Sequence, residues 1–326
     1  MESFVIFGAG GQDGLILSRR LSLLGENVTC VVGSDQSRHT VEQYAPGARV
    51  VVGDIRDEHD VRETLAAVKP TRVFNFAAVS SVALSWSHPG NSLDVNLVGV
   101  ANILGALRST GMEDVRFFQS SSSEVFDKSP SPLNEVSPRQ PRSPYAIGKN
   151  AADQLVAQFR EHEGLFATTG IFFSHESPLR PTAFLSRHVS RAVAEIAAGA
   201  RDRIQLGNID AARDWGYAPD YVTAAELAMS APTPADFVIS SGEPHSVRDV
   251  LDVAFTALGI SEWEHLVEID TTRLRPADDS IAVGDSTKIR RELGWQPTLS
   301  FAEIITCMVE HDVKDVTAGV KSIWSE

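Results

Sequence analysis

Cysteine is scarce in this sequence, which contains only Cys30 and Cys307 among 326 residues. The two lie far apart, neither has metal-ligand spacing, and Cys30 sits in an apolar run typical of a buried thiol. The sequence therefore predicts no disulfide framework. No group of histidine, cysteine and carboxylate residues has the spacing of a metal site, so we expect no metal.

Basic residues are also few compared with acidic ones. The chain has 29 lysines and arginines against 43 acidic residues, giving a formal net charge of −14. This balance argues against nucleic acid or an anionic membrane as a general partner. There is no apolar run long enough to cross a bilayer, and no basic N-terminal region followed by an apolar stretch. We therefore expect a cytoplasmic protein without a membrane partner.

Short apolar runs alternate with helical patterns through the first two thirds of the chain. Strand-like runs occur at 4–7, 28–32, 50–52, 72–76, 115–119 and 167–173, and helical spacing at 16–24, 61–68, 93–107 and 146–159. This alternation predicts an α/β fold, a Rossmann-type doubly wound parallel sheet covered on both faces. In such sheets, ligands bind beyond the carboxyl ends of the strands.

The remainder of the chain has fewer strand-like runs and longer loops. Helical patterns lie at 184–198, 221–229, 247–258 and 301–309, with a short strand at 204–206. We interpret residues 1–173 as an NAD(P)-binding domain that carries the catalytic residues. Residues 174–326 are interpreted as a smaller, partly interleaved α/β region that binds substrate, with some segments returning to the first domain.

A glycine-rich segment follows the first strand and opens a helix. Gly8, Gly11 and Gly14 permit a tight turn there, and the turn also contains Gln12 and Asp13. Backbone N–H groups at such a helix start favour a pyrophosphate, which predicts a bound dinucleotide. The spacing of these glycines is that of short-chain dehydrogenases/reductases, and differs from that of simple dehydrogenases.

Two later strand ends support the same interpretation. Asp54 and Ile55 close the third strand, where short-chain enzymes commonly bind the adenine amino group, although Asp54 also suits a helix cap. Ala77 and Ala78 follow the fourth strand, where small residues let a cofactor lie against the backbone. We predict that all four contact the cofactor.

A third group of residues has the properties of a catalytic centre. Tyr145 and Lys149 lie four apart on one helix face, and a nearby ammonium stabilises a phenolate base. Ser122 and Glu124 follow the fifth strand at the same edge of the sheet. A hydroxyl can bind a sugar oxygen, and a carboxylate can remove a proton next to a carbonyl. Because reduction and epimerisation need no such carboxylate, Glu124 indicates dehydration.

At these motifs the chain resembles the GDP-mannose 4,6-dehydratase family. The matching segments, over nearly the whole chain, read QSSSSEVFD (119–127), PRSPYAIGK (141–149), FSHESPLRP (173–181), GNIDAARDWGYAPDYV (207–222) and LRPAD (274–278). The resemblance implies that Ser122, Glu124, Tyr145 and Lys149 are catalytic. It implies an internal hydride cycle through bound NADP that turns GDP-mannose into its 4-keto-6-deoxy product.

The resemblance also implies binding roles elsewhere. His175 would contact the cofactor, and the substrate-binding residues would be Ser80, Ser85, Ser122, Ser174, His188, Arg213, Arg275 and Asp278. The arginines suit bidentate contacts with a nucleotide diphosphate. The implied partners are a GDP-sugar substrate and further copies of the chain, as a homodimer or homotetramer.

Several positions depart from the family pattern. Ser122 replaces a threonine, Ser174 an asparagine and His188 a lysine. The paired arginines that grip the NADP 2′-phosphate are missing. Ser34 and Arg38 could still bind that phosphate, whereas Asp35 would suit the free ribose of NAD.

These departures leave three alternatives to the dehydration of GDP-mannose. One is a reductase or epimerase acting on a 4-keto sugar nucleotide. Another is a dehydratase acting on a different sugar nucleotide, such as a GDP-heptose. The last is an inactive protein that binds the cofactor and serves in interaction or regulation.

Overall fold

A computed structural model describes residues 2–112, 114–127, 132–271 and 281–320. Its strands are β1 (Ser3–Phe7), β2 (Asn27–Val32), β3 (Arg49–Val52), β4 (Arg72–Asn75), β5 (Arg116–Ser122), β6 (Ala167–Phe172), β7 (Ser174–Glu176), β8 (Ile204–Leu206), β9 (Ala212–Tyr217), β10 (Asp236–Ile239), β11 (Pro244–Ser246) and β12 (Val267–Ile269). Its α-helices are α1 (Gln12–Leu23), α2 (Asp35–Tyr44), α3 (Glu58–Val68), α4 (Val82–Ser87), α5 (Pro89–Leu93), α6 (Gly99–Ser109), α7 (Pro144–His162), α8 (Leu185–Ala197), α9 (Ala218–Ser230), α10 (Val247–Thr256), α11 (Thr287–Leu293) and α12 (Phe301–Thr317).

The main sheet is parallel and runs in the order β10-β6-β5-β4-β1-β2-β3. Its central strands are nearly continuous apolar runs because helices cover both faces. Along β1, side chains alternate between the two faces, so that Phe4 and Ile6 join one core while Val5 and Phe7 join the other. The strand order reverses between β1 and β4, the position at which a doubly wound sheet opens a ligand crevice. The predicted α/β class is confirmed.

The C-terminal half forms two further small sheets, β11-β9-β7 and β12-β8, within the described residues. A separate apolar core joins α8, α10 and α12 to these strands, with Trp215 and Phe255 among its buried residues. Other segments return to the main sheet: β10 pairs with β6, and Tyr221 of α9 belongs to the core that contains Phe4. The division at residue 173 remains a prediction.

The structure extends the elements expected from sequence and adds others. The helical pattern at 146–159 is the middle of α7, which starts where the Ser143 hydroxyl accepts a hydrogen bond from the Ala146 N–H. The pattern at 93–107 lies across α5, a π-helical turn (Asp94–Val98) and α6. The sequence interpretation did not identify α2 or β10. None of the described helices is both long enough and apolar enough to span a bilayer.

Candidate active site

The glycine-rich turn has a geometry that only glycine accommodates at two positions. Gly8 has a φ of +75°, and a Cβ there would lie 2.4 Å from the Ala77 backbone nitrogen. A Cβ on Gly14 would lie 2.4 Å from the Gly8 carbonyl oxygen. The turn is therefore compressed between β1, α1 and the end of β4. This close approach leaves room for a ligand to lie against bare backbone, as a dinucleotide requires.

A cavity of about 310 Å³ opens next to this turn, at the carboxyl ends of the strands. Gly8, Asp54, Ile55, Ala77 and Ala78 all line it, as do Val31, Val32 and Gly53. Its walls are mostly small or apolar residues, which suits a flat aromatic base. The structure thus brings together five of the predicted cofactor residues at the switch point of the sheet, and they fit the adenosine part of a dinucleotide.

The Asp54 carboxylate is already engaged by a neighbouring arginine. Arg56 donates to it through Nε at 2.9 Å and Nη2 at 2.6 Å, and also donates to the Asn91 side chain. The hydrogen bonds from Arg56 hold the pKa of Asp54 below its ordinary value. Arg56 also lines the cavity and so places a guanidinium beside the predicted base-binding residue. The sequence interpretation missed this arginine because nothing in its spacing pairs it with Asp54.

The predicted phosphate residues Ser34 and Arg38 lie at the start of α2. Ser34 caps this helix by accepting a hydrogen bond from the Ser37 N–H at 3.2 Å. The Arg38 guanidinium lies 3.3 Å from the Asp35 carboxylate, which partly neutralises it. The residue just after β2 is Gly33, so no acidic side chain occupies the strand end.

Ser122 and Tyr145 meet as predicted, at the end of β5 and the start of α7. Their side chains are hydrogen-bonded to each other. Glu124 belongs to the short 3₁₀ turn Ser123–Val125 directly after β5, and its backbone N–H donates to the Ser122 hydroxyl at 3.3 Å. Lys149 is buried, and its ammonium donates to the Ser120 carbonyl at 2.8 Å. All four predicted catalytic residues therefore gather at one strand end.

Burial dominates the ionisation of the tyrosine and the lysine. It raises the pKa of Tyr145 to about 12, against the lowering effect of the hydrogen bond with Ser122. Burial lowers the pKa of Lys149 to about 8, while the Asp153 and Asp13 carboxylates act in the opposite direction. A phenolate at neutral pH therefore needs positive charge brought close to Tyr145. The charge on a nicotinamide cofactor, together with the Lys149 ammonium, would supply it.

A largely buried ion pair links the glycine-rich turn to the segment after β6. The His175 Nε2 atom lies 3.0 Å from an Asp13 carboxylate oxygen, and Nδ1 lies 2.7 Å from the Phe173 carbonyl. Both ring nitrogens face acceptors, an arrangement that favours the doubly protonated ring. Burial lowers the pKa of His175, but the Asp13 carboxylate outweighs it and the net pKa lies above its ordinary value. Gln12 reinforces the link by donating to the His175 carbonyl at 3.1 Å.

The predicted substrate-binding residues lie on several different elements and differ in their exposure to solvent. Ser174 and Arg213 lie on the neighbouring strands β7 and β9, and His188 is half-buried on α8. Ser80 is exposed after β4, whereas Ser85 is fully buried and donates to the Val82 carbonyl at 2.7 Å. Their contacts with substrate remain predictions. Arg275 and Asp278 lie outside the described residues.

The structure adds polar residues that the sequence interpretation did not single out. Asp214 is buried after Arg213 and accepts hydrogen bonds from the Ser241, Gly242 and Gly284 N–H groups. Asn96, in the π-helical turn, both accepts from and donates to the Val79 backbone. Such turns often occur at functional sites. The "RDWG" motif and the interrupted helical pattern were the available signals.

One described group has donor atoms close enough to hold a metal ion: His311, Asp312 and Asp315. However, the Arg187 guanidinium lies 2.8 Å from the Asp312 carboxylate and 3.8 Å from that of Asp315. A cation already neutralises these carboxylates, so the group is explained as a buried ion pair.

The reversal of the sheet at a compressed glycine turn, together with Tyr145 and Lys149 beside Ser122, defines the class of protein. The chain is a short-chain dehydrogenase/reductase of the extended type, in which a C-terminal region adds to the dinucleotide-binding sheet. Solved structures of this class share the fold. The UDP-glucose 4-epimerase of Thermotoga maritima has a TM-score of 0.85 at 24% identity, covering 96% of this chain and 99% of that one. The dTDP-glucose 4,6-dehydratase of Streptomyces venezuelae has a TM-score of 0.84 at 23% identity, covering 98% and 99%.

Sequence comparison places the chain more narrowly. A profile of the GDP-mannose 4,6 dehydratase family matches residues 5–308. GDP-mannose 4,6 dehydratase 1 of Arabidopsis thaliana is 36% identical over 95% of this chain and 89% of the relative. The human GDP-mannose 4,6 dehydratase is 36% identical over 95% and 91%. The chain belongs to the GDP-mannose 4,6-dehydratase family, as its motifs predicted.

Proposed function

We propose that the chain converts GDP-D-mannose to GDP-4-keto-6-deoxy-D-mannose. The observation that carries the proposal is the placement of Glu124 in the turn after β5, next to the hydrogen-bonded Ser122 and Tyr145. This arrangement supplies one base for a hydroxyl proton and a second for a carbon acid. The family membership supports the same reaction, because relatives named for it share about a third of their residues with this chain.

Each catalytic residue then has a separate task. Tyr145, as phenolate, removes the C4 hydroxyl proton, and Ser122 orients that hydroxyl through its hydrogen bond. The Lys149 ammonium stabilises the phenolate and can bind the nicotinamide ribose. Glu124 removes the proton at C5, which the new C4 ketone acidifies, and passes it to the C6 hydroxyl, which leaves as water. The proton that Tyr145 took from the C4 hydroxyl is then available to protonate C5 when hydride is added at C6. A bound nicotinamide cofactor would supply reversible hydride acceptance between C4 and C6, so there would be no net consumption of it.

We further propose NADP as that cofactor, with NAD as the alternative. The strand end at Gly33 has no acidic side chain to bind a free ribose 2′-hydroxyl. The start of α2 offers the Ser34 hydroxyl, backbone N–H groups and Arg38 to a phosphate. Similar structures hold either form: RMD of Pseudomonas aeruginosa is complexed with NADPH, and the UDP-glucose 4-epimerase of Thermus thermophilus with NAD. Asp35 is the feature that favours NAD.

The proposed partners and location follow the sequence expectations. We propose a homodimer or homotetramer in the cytoplasm. Support for self-association comes from Val98 and Ile147, which are 42% and 48% exposed on neighbouring helical segments, and from the exposed Trp86 on α4. Light scattering across a concentration series would measure the oligomeric state, and a monomer throughout would contradict this part.

The first test is to incubate the purified protein with GDP-mannose and NADP and to follow the sugar nucleotide by mass spectrometry. Loss of one water without net NADPH formation would support the proposal. Consumption of NADPH with a 4-keto substrate would identify a reductase, and binding of cofactor without any turnover would identify an inactive protein. Turnover of a GDP-heptose in place of GDP-mannose would reassign the substrate. Full dehydratase activity in the Glu124→Gln variant would refute the role of Glu124.

A further inference from the structure

A buried carboxylate that the proposed mechanism does not use lies on the helix of the Tyr–Lys pair. Asp153 is 2% exposed and follows Lys149 by one helical turn, as Lys149 follows Tyr145. Its Oδ2 atom accepts hydrogen bonds from the Ser121 hydroxyl at 2.5 Å and the Arg139 guanidinium at 2.6 Å. A buried charge of this kind is retained only when it is paired and hydrogen-bonded.

The contacts of Asp153 belong to a short ladder between β5 and α7. Three consecutive β5 residues bind three helix residues spaced four apart. The Ser122 side chain bonds Tyr145, the Ser120 carbonyl accepts from Lys149, and the Ser121 hydroxyl donates to Asp153. Asp153 therefore fixes the strand end whose flanking residues contact both members of the catalytic pair.

The same carboxylate also fixes the segment that follows Glu124. Its partner Arg139 forms an isolated bridge with Phe126, two residues after Glu124. Two backbone hydrogen bonds continue this pairing, from Asp127 N–H to Pro138 and from Gln140 N–H to Val125. Through Arg139, Asp153 thus helps to determine the position of the turn that carries Glu124.

The charge of Asp153 provides a second connection between this residue and the catalytic pair. The groups that interact electrostatically with Asp153 are Arg139 from the preceding loop, Ser121 from β5, Asp236 from β10, and Lys149 and Tyr145 on its own helix. Burial raises the pKa of Asp153 to about 6, against the lowering effect of Arg139, so the carboxylate is mostly ionised at neutral pH. Among the charged groups that act on Lys149, Asp153 and then Asp13 oppose the loss of its proton on burial.

We propose that Asp153 is a positioning residue for the dehydration, holding the end of β5 and the Glu124 segment in register with α7, one helical turn from Lys149. This inference rests on the proposed function where GDP-mannose turnover is measured. The measurement of NADPH binding against pH does not depend on which substrate is used. Asp153 touches neither substrate nor the reacting atoms, so it acts through Ser121, Arg139 and Lys149.

The test compares Asp153→Asn with a variant that disrupts a similar serine–aspartate–arginine group far from the active site. Asp312 is fully buried, accepts a hydrogen bond from the Ser190 hydroxyl at 2.6 Å and lies 2.8 Å from the Arg187 guanidinium, which makes it a matched serine–aspartate–arginine group in the C-terminal core. We expect Asp153→Asn to lower kcat by about tenfold or more, with KM for GDP-mannose changed by less than about twofold. Asp312→Asn should lower the melting temperature and leave kcat within about twofold of the wild type.

The pH profile separates positioning from mere destabilisation. Activity should fall as pH rises through the pKa of Lys149, and in Asp153→Asn this alkaline limb should move down by about one pH unit. Ser121→Ala, which keeps the charge and removes the hydrogen bond, should lower kcat without moving the limb. It also keeps the proposal testable if Asp153→Asn does not fold. Asp153→Glu should restore the limb.

Wild-type kcat and an unmoved limb in Asp153→Asn would overturn the proposal. So would an equal loss of kcat in Asp312→Asn. If the wild type does not dehydrate GDP-mannose, the proposed function fails, but the inference can still be tested. NADPH binding, followed by its fluorescence against pH, should then weaken at lower pH in Asp153→Asn than in the wild type, and identical binding curves would refute the role of Asp153.

Discussion

The buried pair between Asp13 and His175 gives a prediction whose sign and size follow from the structure. In His175→Gln, the Asp13 carboxylate loses the imidazolium 3.0 Å away and keeps the weak contact from Gln12 at 3.4 Å and the attraction of the more distant Arg180. Removing one partner of a buried ion pair typically costs about 3–5 kcal/mol. Because Asp13 retains these two contacts, we expect a loss of unfolding free energy of about 3 kcal/mol at pH 6.

The loss should shrink as pH rises. Since Asp13 raises the pKa of folded His175 above the ordinary 6.5, the folded state binds the proton more tightly than the unfolded chain does. The stabilisation is complete below pH 6.5 and disappears as pH rises through the folded pKa, at about 1.4 kcal/mol for each unit of elevation. The wild type should therefore lose stability above pH 6.5, whereas His175→Gln should not show this loss.

Urea unfolding between pH 6 and pH 9 measures both effects. The control is His39→Gln, because His39 forms an exposed pair with Glu42 at 3.6 Å, with 75% of its side chain accessible. Such surface pairs contribute about 0–1 kcal/mol, so the control should behave as wild type. The reasoning is refuted if the wild type and His175→Gln show the same dependence of unfolding free energy on pH.

Three further predictions concern the cofactor and the base. Tyr145→Phe should lower kcat by about 10²–10⁴-fold while NADP binding, measured by calorimetry, stays within about threefold of the wild type; a smaller loss of kcat would assign the base elsewhere. Gly8→Ala should abolish NADP binding because its Cβ would overlap the Ala77 backbone. The control Gly105→Ala, at an open helix position, should bind NADP normally. Equal NADP binding by the two variants would contradict the compressed turn. Arg38→Ala should raise the dissociation constant for NADP by about tenfold and leave that for NAD unchanged in calorimetry, and a parallel rise in both would exclude a phosphate contact.

The sequence was sufficient to predict which functional residues lie at the carboxyl edge of the sheet. Gly8, Asp54, Ser122 and Tyr145 could be placed at one edge because parallel strands and their following turns impose that edge on every sheet of this type. Local patterns also located most strands and helices. These features depend on residues close together in the chain.

Contacts between distant segments could not be predicted in the same way. Asp153 lies on an amphipathic helix and is indistinguishable in sequence from a solvated residue, because its partners Ser121 and Arg139 belong to other elements. Strand β10 is only four residues long and pairs with β6 from more than sixty residues away, so periodicity gave no sign of it. Arg56 and Asp54 are two residues apart, yet their pairing depends on a turn whose shape the sequence does not reveal.

The return of C-terminal segments to the main sheet has a consequence for how the chain folds during synthesis. The edge strand β10 ends at Ile239, and Ile289 and Trp295 complete the core on the face that contains Phe4. When β6 has just emerged from the ribosome, the nascent chain therefore still exposes an unpaired strand edge and an open apolar face. Aggregation begins on such surfaces. We expect the half that contains the glycine-rich turn to become protease-resistant only after almost the entire polypeptide has emerged from the ribosome.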